Sequence, residues 1–597
     1  MPFLIPVASV EHVWRYEDCC QVYVLQKDDR ALLIDLGSGR VLDHLDGIGV
    51  RKVAGVYFTH AHRDQCQGAE RAAAQGVPLH FPAGAASFLD PAQRPDFTQP
   101  TPFLWSYPGK FDYPRPFPGW TADVQPGTTV SWEGFLLEVV PTPGHLEHQV
   151  AYLVDVGPHR LAFCGDAFHS AGKVHEAYHW ETDHYTGAGA RQGAESLRVL
   201  QQLRPSVLCP SHGPVTDRNV WEALAATRAN LTALAELKDT LCPGRPHIQR
   251  LVEPLPNRLM PLSEHLFLWN NSYFLLSDEG PVLMVDNAGP LPDDFWLQFR
   301  QQIGERPIEV VLISHLHCDH VEGVEALRVR MPGLQCWVQE ALVEAIEHPH
   351  RFRRPWLPRA GTSVDRALGH GETVRWREYA LRAYHTPGQT DLHATYETHV
   401  DGHHVLFSGD SFYPPQQWGG TGGLCGFNGG HPLRGWRPTI ELIMALEPEW
   451  LLASHIQPFP YRRADWEAML RWTEDVAAAM RAVAPDGCLE RHHDPHLITL
   501  WPYVQSVAEG QPFTLTARVQ NPYPRPLPVE LRLVLPPGLT PSDGAATLTV
   551  EPGATGQAIW ELTLTEGFPG VQMVTLDVTY GGQYLGEKAE AYLRAGA

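Results

Sequence analysis

Apolar and polar residues alternate over Gln21–Gly37 (QVYVLQKDDRALLIDLG) and again over Ser272–Gly289 (SYFLLSDEGPVLMVDNAG). Each stretch predicts two β-strands joined by a charged turn. The second strand of each ends on an aspartate, Asp35 or Asp286, and these lie 251 residues apart. The correspondence continues along the chain. Val53–Gln65 (VAGVYFTHAHRDQ) matches Ile308–His320 (IEVVLISHLHCDH), and PTPGH ending at His145 matches HTPGQ ending at Gln389. FCGDAF around Asp166 matches FSGDSF around Asp410, and VLCPSHG around His212 matches LLASHIQ around His455. The four offsets are 255, 244, 244 and 243 residues. Landmarks that hold register this closely make the chain two copies of one domain of roughly 240 residues.

Within each copy an apolar, β-rich run precedes every polar cluster, and Gly or Pro follows it, so the clusters fall on loops at strand ends. Amphipathic stretches at helical spacing come next: Glu195–Leu203 and Val220–Leu241 in copy one, Thr439–Leu446 and Trp466–Val483 in copy two. This alternation predicts an α/β layered architecture. The Pro- and Arg-rich segment 243–261 reads as a linker, placing the copies at 1–242 and 262–490. From 498 to 597, Thr, Val and Leu alternate with polar residues in short runs broken by Pro and Gly, which predicts a small all-β sandwich.

Composition agrees with three units, because 597 residues exceed what one hydrophobic core sustains, about 250–300. A net charge of −22 argues against a surface built to neutralise phosphates and demotes nucleic acid as a partner. No run of 18 apolar residues occurs, so no membrane partner is expected. The ten cysteines form no C-x-x-C pair, and the amino terminus MPFLIPVASVEHVW lacks the basic and long apolar regions of a signal peptide. The expectation is a cytoplasmic protein with reduced thiols, acting on a small-molecule substrate, with a homo-oligomer left open. The unusual count is 31 His, since imidazole is the commonest metal ligand.

Those histidines cluster in the repeated landmarks. His60-Ala-His62-Arg63-Asp64-Gln65 and His315-Leu316-His317-Cys318-Asp319-His320 each follow a buried strand. Two imidazoles one residue apart can converge on one cation, and the aspartate two further on can reach a second; imidazole plus carboxylate suits zinc or a similar first-row metal. With no Gly-x-Ser-x-Gly elbow and no Cys–His signature, a metal-activated hydroxide is the nucleophile such a chain would use.

The order His-x-His-x-Asp-His, Pro-Gly-His, Gly-Asp, Ser-His resembles the metallo-β-lactamase superfamily, in particular its glyoxalase II and lactonase-like hydrolases, over Val53–Gly213 and Ile308–Pro458. The resemblance implies an αββα sandwich in each copy. In copy one it implies His60, His62 and His145 on a first metal, Asp64 and His212 on a second, and Asp166 bridging. In copy two it implies His315 and His317 on the first metal, Asp319, His320 and His455 on the second, and Asp410 bridging. Asp64 and Asp319 would act as the catalytic carboxylates, orienting or deprotonating the water. Each copy departs from the pattern once. Copy one has Gln65 where the family has its third motif histidine, and copy two has Gln389 at the position of His145. His393, four residues beyond Gln389, is the candidate substitute ligand.

Further histidines follow Asp166 in the stretch FHSAGKVHEAYHWETDHYTG, of which His179, His184 and Tyr185 are candidate substrate-binding residues. The aromatic, Pro-rich segment Phe81–Trp120 reads either as a border of the site or as a packing arm. The C-terminal unit resembles the immunoglobulin-like modules found beside many hydrolases. The expectation is a metal-dependent hydrolase, with Zn2+ favoured and iron or manganese not excluded, acting on a small ester, lactone, thioester or amide. Two alternatives stay open: a phosphodiesterase or nuclease with one degenerate copy, and a non-catalytic tandem scaffold.

Overall fold

The structure is a computed structural model, and it describes residues 4–8, 10–94, 112–181, 187–240, 251, 255–411, 424–455, 458–541, 544–568 and 570–595. Copy one contains a seven-stranded sheet whose strands lie in chain order from Leu4–Pro6 to Trp120–Val124. Its early hairpins are antiparallel, and from Arg30–Ile34 onward the pairing turns parallel. A five-stranded sheet from Thr129–Trp132 to Val207–Pro210 faces it. Tyr23, Leu25, Leu32 and Ile34 of the first sheet and Val139, Tyr152, Leu161 and Phe163 of the second fill the space between them. This inter-sheet core is what the alternating runs predict, one apolar face per strand.

Copy two repeats the plan with seven strands from Met260–Pro261 to Arg366–Leu368 and six from Thr373–Trp376 to Phe459–Pro460. The repetition extends to irregularities. Each copy breaks register near the start of its first parallel ladder, at Ala31/Leu32 and Val282/Leu283, and again just before the aspartate of the Gly-Asp landmark, at Phe163/Gly165 and Phe407/Gly409. Gly165 and Gly409 have φ of 55° and 53°. A side chain at Gly165 would press on Thr59 at 3.1 Å, and one at Gly409 on His393 and Ser314 at 2.6 and 2.7 Å. Glycine therefore lets the strand carrying the bridging aspartate close onto the strand end carrying the first histidine.

The helices cover the outer faces. Ala188–Leu203 of copy one and Arg437–Leu446 and Arg463–Val483 of copy two extend three of the stretches read from periodicity, and Val220–Thr240 matches the fourth to within one residue. Leu197, Leu200, Leu224 and Leu231 share one buried cluster with Ile440, Ile443, Met469 and Val476, so the copies stand back to back across a common helical layer. Trp472 Nε1 donates across it to the Leu237 carbonyl at 3.1 Å.

Composition placed Met260 and Pro261 in a linker, yet they form the edge strand pairing with Leu266–Trp269. A two-residue strand containing proline is too short to show a period, and proline is tolerated there because an edge leaves its missing N–H unneeded. Residues 243–250 and 252–254 of that linker lie outside the described residues. The C-terminal region forms a four-stranded and a five-stranded sheet around Leu515, Val519, Trp560, Leu562, Val529, Leu531, Leu576 and Val578. Among the described residues no helix is long and apolar enough to cross a membrane.

The sandwich is docked by buried charge. Arg63, inside the first histidine motif, donates through Nη2 to Glu590 at 2.8 Å and through Nε to the Tyr113 carbonyl at 2.8 Å. Arg353 of copy two reaches the other oxygen of Glu590, also at 2.8 Å. One carboxylate thus ties three units together. Glu590→Leu strands two buried guanidiniums, at a cost of about 3–5 kcal/mol, whereas Arg63→Met leaves Glu590 still paired to Arg353. Limited proteolysis should accordingly release the 498–595 region faster from Glu590→Leu than from Arg63→Met; equal release would show that this junction does not hold the sandwich.

Candidate metal centres

Each centre is built on a buried aspartate at a strand end. Asp35, at φ 56°, accepts from the Thr59 N–H at 2.8 Å, from Thr59 Oγ1 and from Ser211 Oγ at 2.8 Å. Thr59 Oγ1 in turn lies 3.0 Å from His60 Nδ1, which fixes the ring and turns its Nε2 inward. Asp286, at φ 60°, repeats this with the Ser314 N–H and Oγ, both at 2.7 Å, and Ser314 Oγ lies 3.0 Å from His315 Nδ1.

In copy one, His60 Nε2 lies 3.1 Å from His62 Nδ1, which lies 3.0 Å from His145 Nε2. All three rings are buried, and burial, followed by neighbouring imidazoles, holds each well below the ordinary histidine pKa. Neutral, convergent imidazoles are the ligand form of histidine. His145 is set by its glycine neighbour: Gly144 has φ 139°, and a Cβ there would meet Trp180 at 2.6 Å and the Gly193 backbone at 2.7 Å. Asp166 Oδ2 stands 3.6 and 3.5 Å from Nε2 of His60 and His145, while Oδ1 is 2.8 Å from His212 Nδ1. The carboxylate therefore straddles two groups of donors. Asp64 Oδ2 lies 3.2 Å from His212 Nε2 on the second side. Burial alone would lower His212, but Asp166 and then Asp64 hold it well above its ordinary value.

Gln65 stands where copy two has His320. Its Nε2 approaches Asp166 Oδ2 at 3.5 Å, and its buried Oε1 finds no hydrogen-bond partner. The substitution also changes the supporting aspartate. Asp286 lies 2.9 Å from His320 Nδ1, whereas among the described residues Asp35 is met by Thr59 and Ser211, and burial pushes its carboxyl up to about 7.

In copy two, His315 Nε2 lies 3.0 Å from His317 Nδ1 and 3.8 Å from Asp410 Oδ2. The second group is more compact: His455 Nε2 is 3.0 Å from both Asp319 and Asp410, and His320 Nε2 is 3.5 and 3.4 Å from the same carboxylates. Burial would lower both rings, but the carboxylates win, holding His320 well above its ordinary value and His455 at about 10. Two protons held among clustered carboxylates mark a place where a divalent cation fits the charge. Gln389 is buried with Oε1 unpartnered. His393 stands in register with Gln149 of copy one, beneath the bridging aspartate, where its ring stacks at 5.1 Å on His315. Asn428 Oδ1 lies 3.1 Å from His317 Nε2.

His179 is brought to copy one's centre, 4.3 Å from the His62 ring and 4.7 Å from the His145 ring. Its Nε2 faces Asp112 Oδ2 at 3.1 Å, and Lys588 of the C-terminal sandwich pairs with the adjoining Glu176. His184 and Tyr185 lie outside the described residues. The described part of Phe81–Trp120 borders the centre: Phe88 stacks on Tyr113 at 4.2 Å and comes within 6.1 Å of His62. Sequence reasoning did not reach Asn428, Asp112, Glu176 or Lys588, whose proximity to the centres depends on contacts between distant segments. It noticed Asp35 and Asp286 as strand ends only; their recurrence in both copies was the available sign of a supporting role.

Among the described residues, groups of histidine and carboxylate ligand atoms within 4.8 Å of one another include His60–His62–His145, Asp64–His175–His212, His315–His317–Asp410 and Asp319–His320–Asp410–His455. A sequence model described as the metallo-beta-lactamase superfamily matches residues 16–212 and again 268–455, over half of the chain. The chain belongs to the metallo-beta-lactamase superfamily. Both superfamily segments carry one complete set of the two described above, on opposite sides of the bridging aspartate.

Among curated relatives, the hydroxyacylglutathione hydrolase of Stenotrophomonas maltophilia is 30% identical over 147 residues, covering 25% of this chain and 48% of that protein. The enzyme of the same name from Xanthomonas campestris pv. campestris is 28% identical over 154 residues, covering 26% and 49%. The chain spans about half the length of the curated relatives it matches. Similar solved structures include a Cronobacter sakazakii metallo-beta-lactamase with a HARLDQ motif, at 17% identity and TM-score 0.30 over 39% of this chain and 97% of that one. Another is FEZ-1 from Legionella gormanii, at 14% identity and TM-score 0.31 over 40% and 99%.

Protein purified without added metal should carry divalent metal, and His60→Ala and His315→Ala should each lower its content by elemental analysis. Unchanged content in both variants would sink the ligand assignment.

Proposed function

We propose that copy one is a divalent-metal-dependent hydrolase of small acyl substrates, with thioesters as the leading class and zinc as the ion its three imidazoles suit best. The observation that carries this reading is the convergence of buried His60, His62 and His145 beside Asp166. His60, His62 and His145 would hold a divalent cation, which would lower the pKa of a bound water and polarise an acyl carbonyl. Asp64, partly open at 14% side-chain exposure and 3.2 Å from His212, is the carboxylate placed to orient that water. Thr59 and Asp35 fix the orientation of His60.

The size of the approach supports a small substrate. A cleft of about 210 Å³ reaches His212 and His175 between walls that include Cys19, Arg491, His492 and Tyr523, drawn from all three units. That volume suits a small acyl group. The relatives named hydroxyacylglutathione hydrolase support a thioester as the class to test first.

Hydroxyacyl thioesters, aryl esters and lactones should be hydrolysed by metal-replete protein, and a chelator should abolish turnover reversibly. His60→Ala should lower kcat/KM by roughly a hundredfold or more, an effect on the order of 3 kcal/mol in transition-state stabilisation. Loss of turnover in His315→Ala with His60→Ala unaffected would move the activity to copy two; turnover insensitive to both variants and to chelation would overturn the proposal.

A further inference from the structure

We propose that His175 supplies to copy one the second-site imidazole that Gln65 cannot, completing a ligand set of Asp64, His175 and His212 beside Asp166. This rests on the reading that copy one holds metal. Comparison of the copies defines what is missing. Copy two groups Asp319, His320 and His455 around Asp410, and the same register in copy one gives Asp64, Gln65 and His212 around Asp166. An amide oxygen is a weak ligand beside imidazole for a first-row metal, and Gln65 turns its amide nitrogen, not its oxygen, toward Asp166.

His175 fills that gap from a different wall of the site. Its ring lies parallel to that of His212, with centroids 3.5 Å apart and planes 6° from coplanar orientation. One ligand atom from each of Asp64, His175 and His212 falls within 4.8 Å of the others. His175 comes from the segment after the bridging aspartate, whereas the residue it replaces belongs to the helix opened by the first motif. Stacking alone would be ordinary packing, but stacking on a ligand, with a carboxylate ligand completing the triangle, is a donor set.

The exchange is reciprocal between the copies. At the 244-residue offset that relates Asp166 to Asp410, copy two carries Gly419 where copy one carries His175. Each copy therefore has one imidazole for this role, His320 in one and His175 in the other. The new position is also held rigidly. The Val174 N–H donates to the Val483 carbonyl and Lys173 Nζ to the Ala482 carbonyl, both at 2.9 Å, so the end of copy two's last long helix clamps the loop that presents His175. His179 in the same segment faces Asp112 and His169 lies 3.0 Å from Ser170 Oγ; among the described residues of the segment it is His175, its Nε2 also 3.7 Å from Glu176 Oε2, that groups with Asp64 and His212.

Titration of the metal-free full chain with Co2+, read by equivalents bound and by visible absorption, tests this. His175→Ala and the bulkier His175→Gln should each bind one equivalent fewer than the wild type while keeping the band that His60→Ala removes. Adding Gln65→His to His175→Ala should restore the lost equivalent. Wild-type stoichiometry and affinity in both His175 variants, or no restoration by Gln65→His, would overturn the proposal while leaving metal binding by copy one intact. Absence of Co2+ binding by the wild type would overturn both readings.

Discussion

The constraint on which both centres depend is a carboxylate buried beneath them. Asp35 and Asp286 each sit in left-handed backbone at the end of a strand and accept from the strand end next to them. Ser211 and Ser454, from the far end of the other sheet, reach the same carboxylates at 2.8 and 3.4 Å. The aspartate is therefore the point at which two sheets are pinned to one another at one edge of the sandwich. Burying a carboxylate costs free energy unless donors surround it, and the donors here are the residues adjacent to the first histidine and the last one. Ligand placement is a by-product of satisfying that charge. A shift in the pin would move both ends of the ligand list together.

Reciprocal loss of one imidazole has different electrostatic consequences on the two sides of the bridging aspartate. Copy one retains three buried imidazoles at its first group, which would leave the charge of a divalent cation largely in place. Copy two retains two carboxylates and two imidazoles at its second group, which would neutralise such a cation. The helical layer shared by the copies packs on the second sheet of each, so the two second sheets share one buried cluster.

Repetition made much of this legible from sequence. Strand patterns with period two, four landmarks in near-constant register and helices at 3.6-residue spacing located the sheets, the long helices and most of the residues grouped at the candidate centres. What stayed hidden was of two kinds. The edge strand Met260–Pro261 is shorter than any period. The partners of His179, the approach of His175 to His212 and the contact of Asn428 with His317 depend on loops folded over from distant segments, and no local pattern encodes which loop closes over which site. His393 looked like a substitute ligand because it lies near Gln389 in sequence; in three dimensions it shares the place of Gln149, which accepts from the Asp166 N–H at 3.2 Å.

The C-terminal sandwich changes what copy one is. Lys588 enters between Asp112 and Glu176, Arg491 from the end of copy two lies 3.4 Å from Glu176, and Arg63 joins Glu590 a short distance away. Burial would push Glu176 toward its neutral form, but Lys588 foremost among its neighbours holds its pKa well below the ordinary range, so the network is ionic throughout. Buried ion pairs contribute little net stability, because desolvation offsets most of their attraction, but they fit in only one arrangement. That arrangement presses His179 against His62 and sets the wall through which Arg491 and Tyr523 line the cleft. Copy two has a Gly-rich stretch in place of the segment that carries these contacts. The sandwich and the end of copy two therefore form walls of copy one's candidate centre.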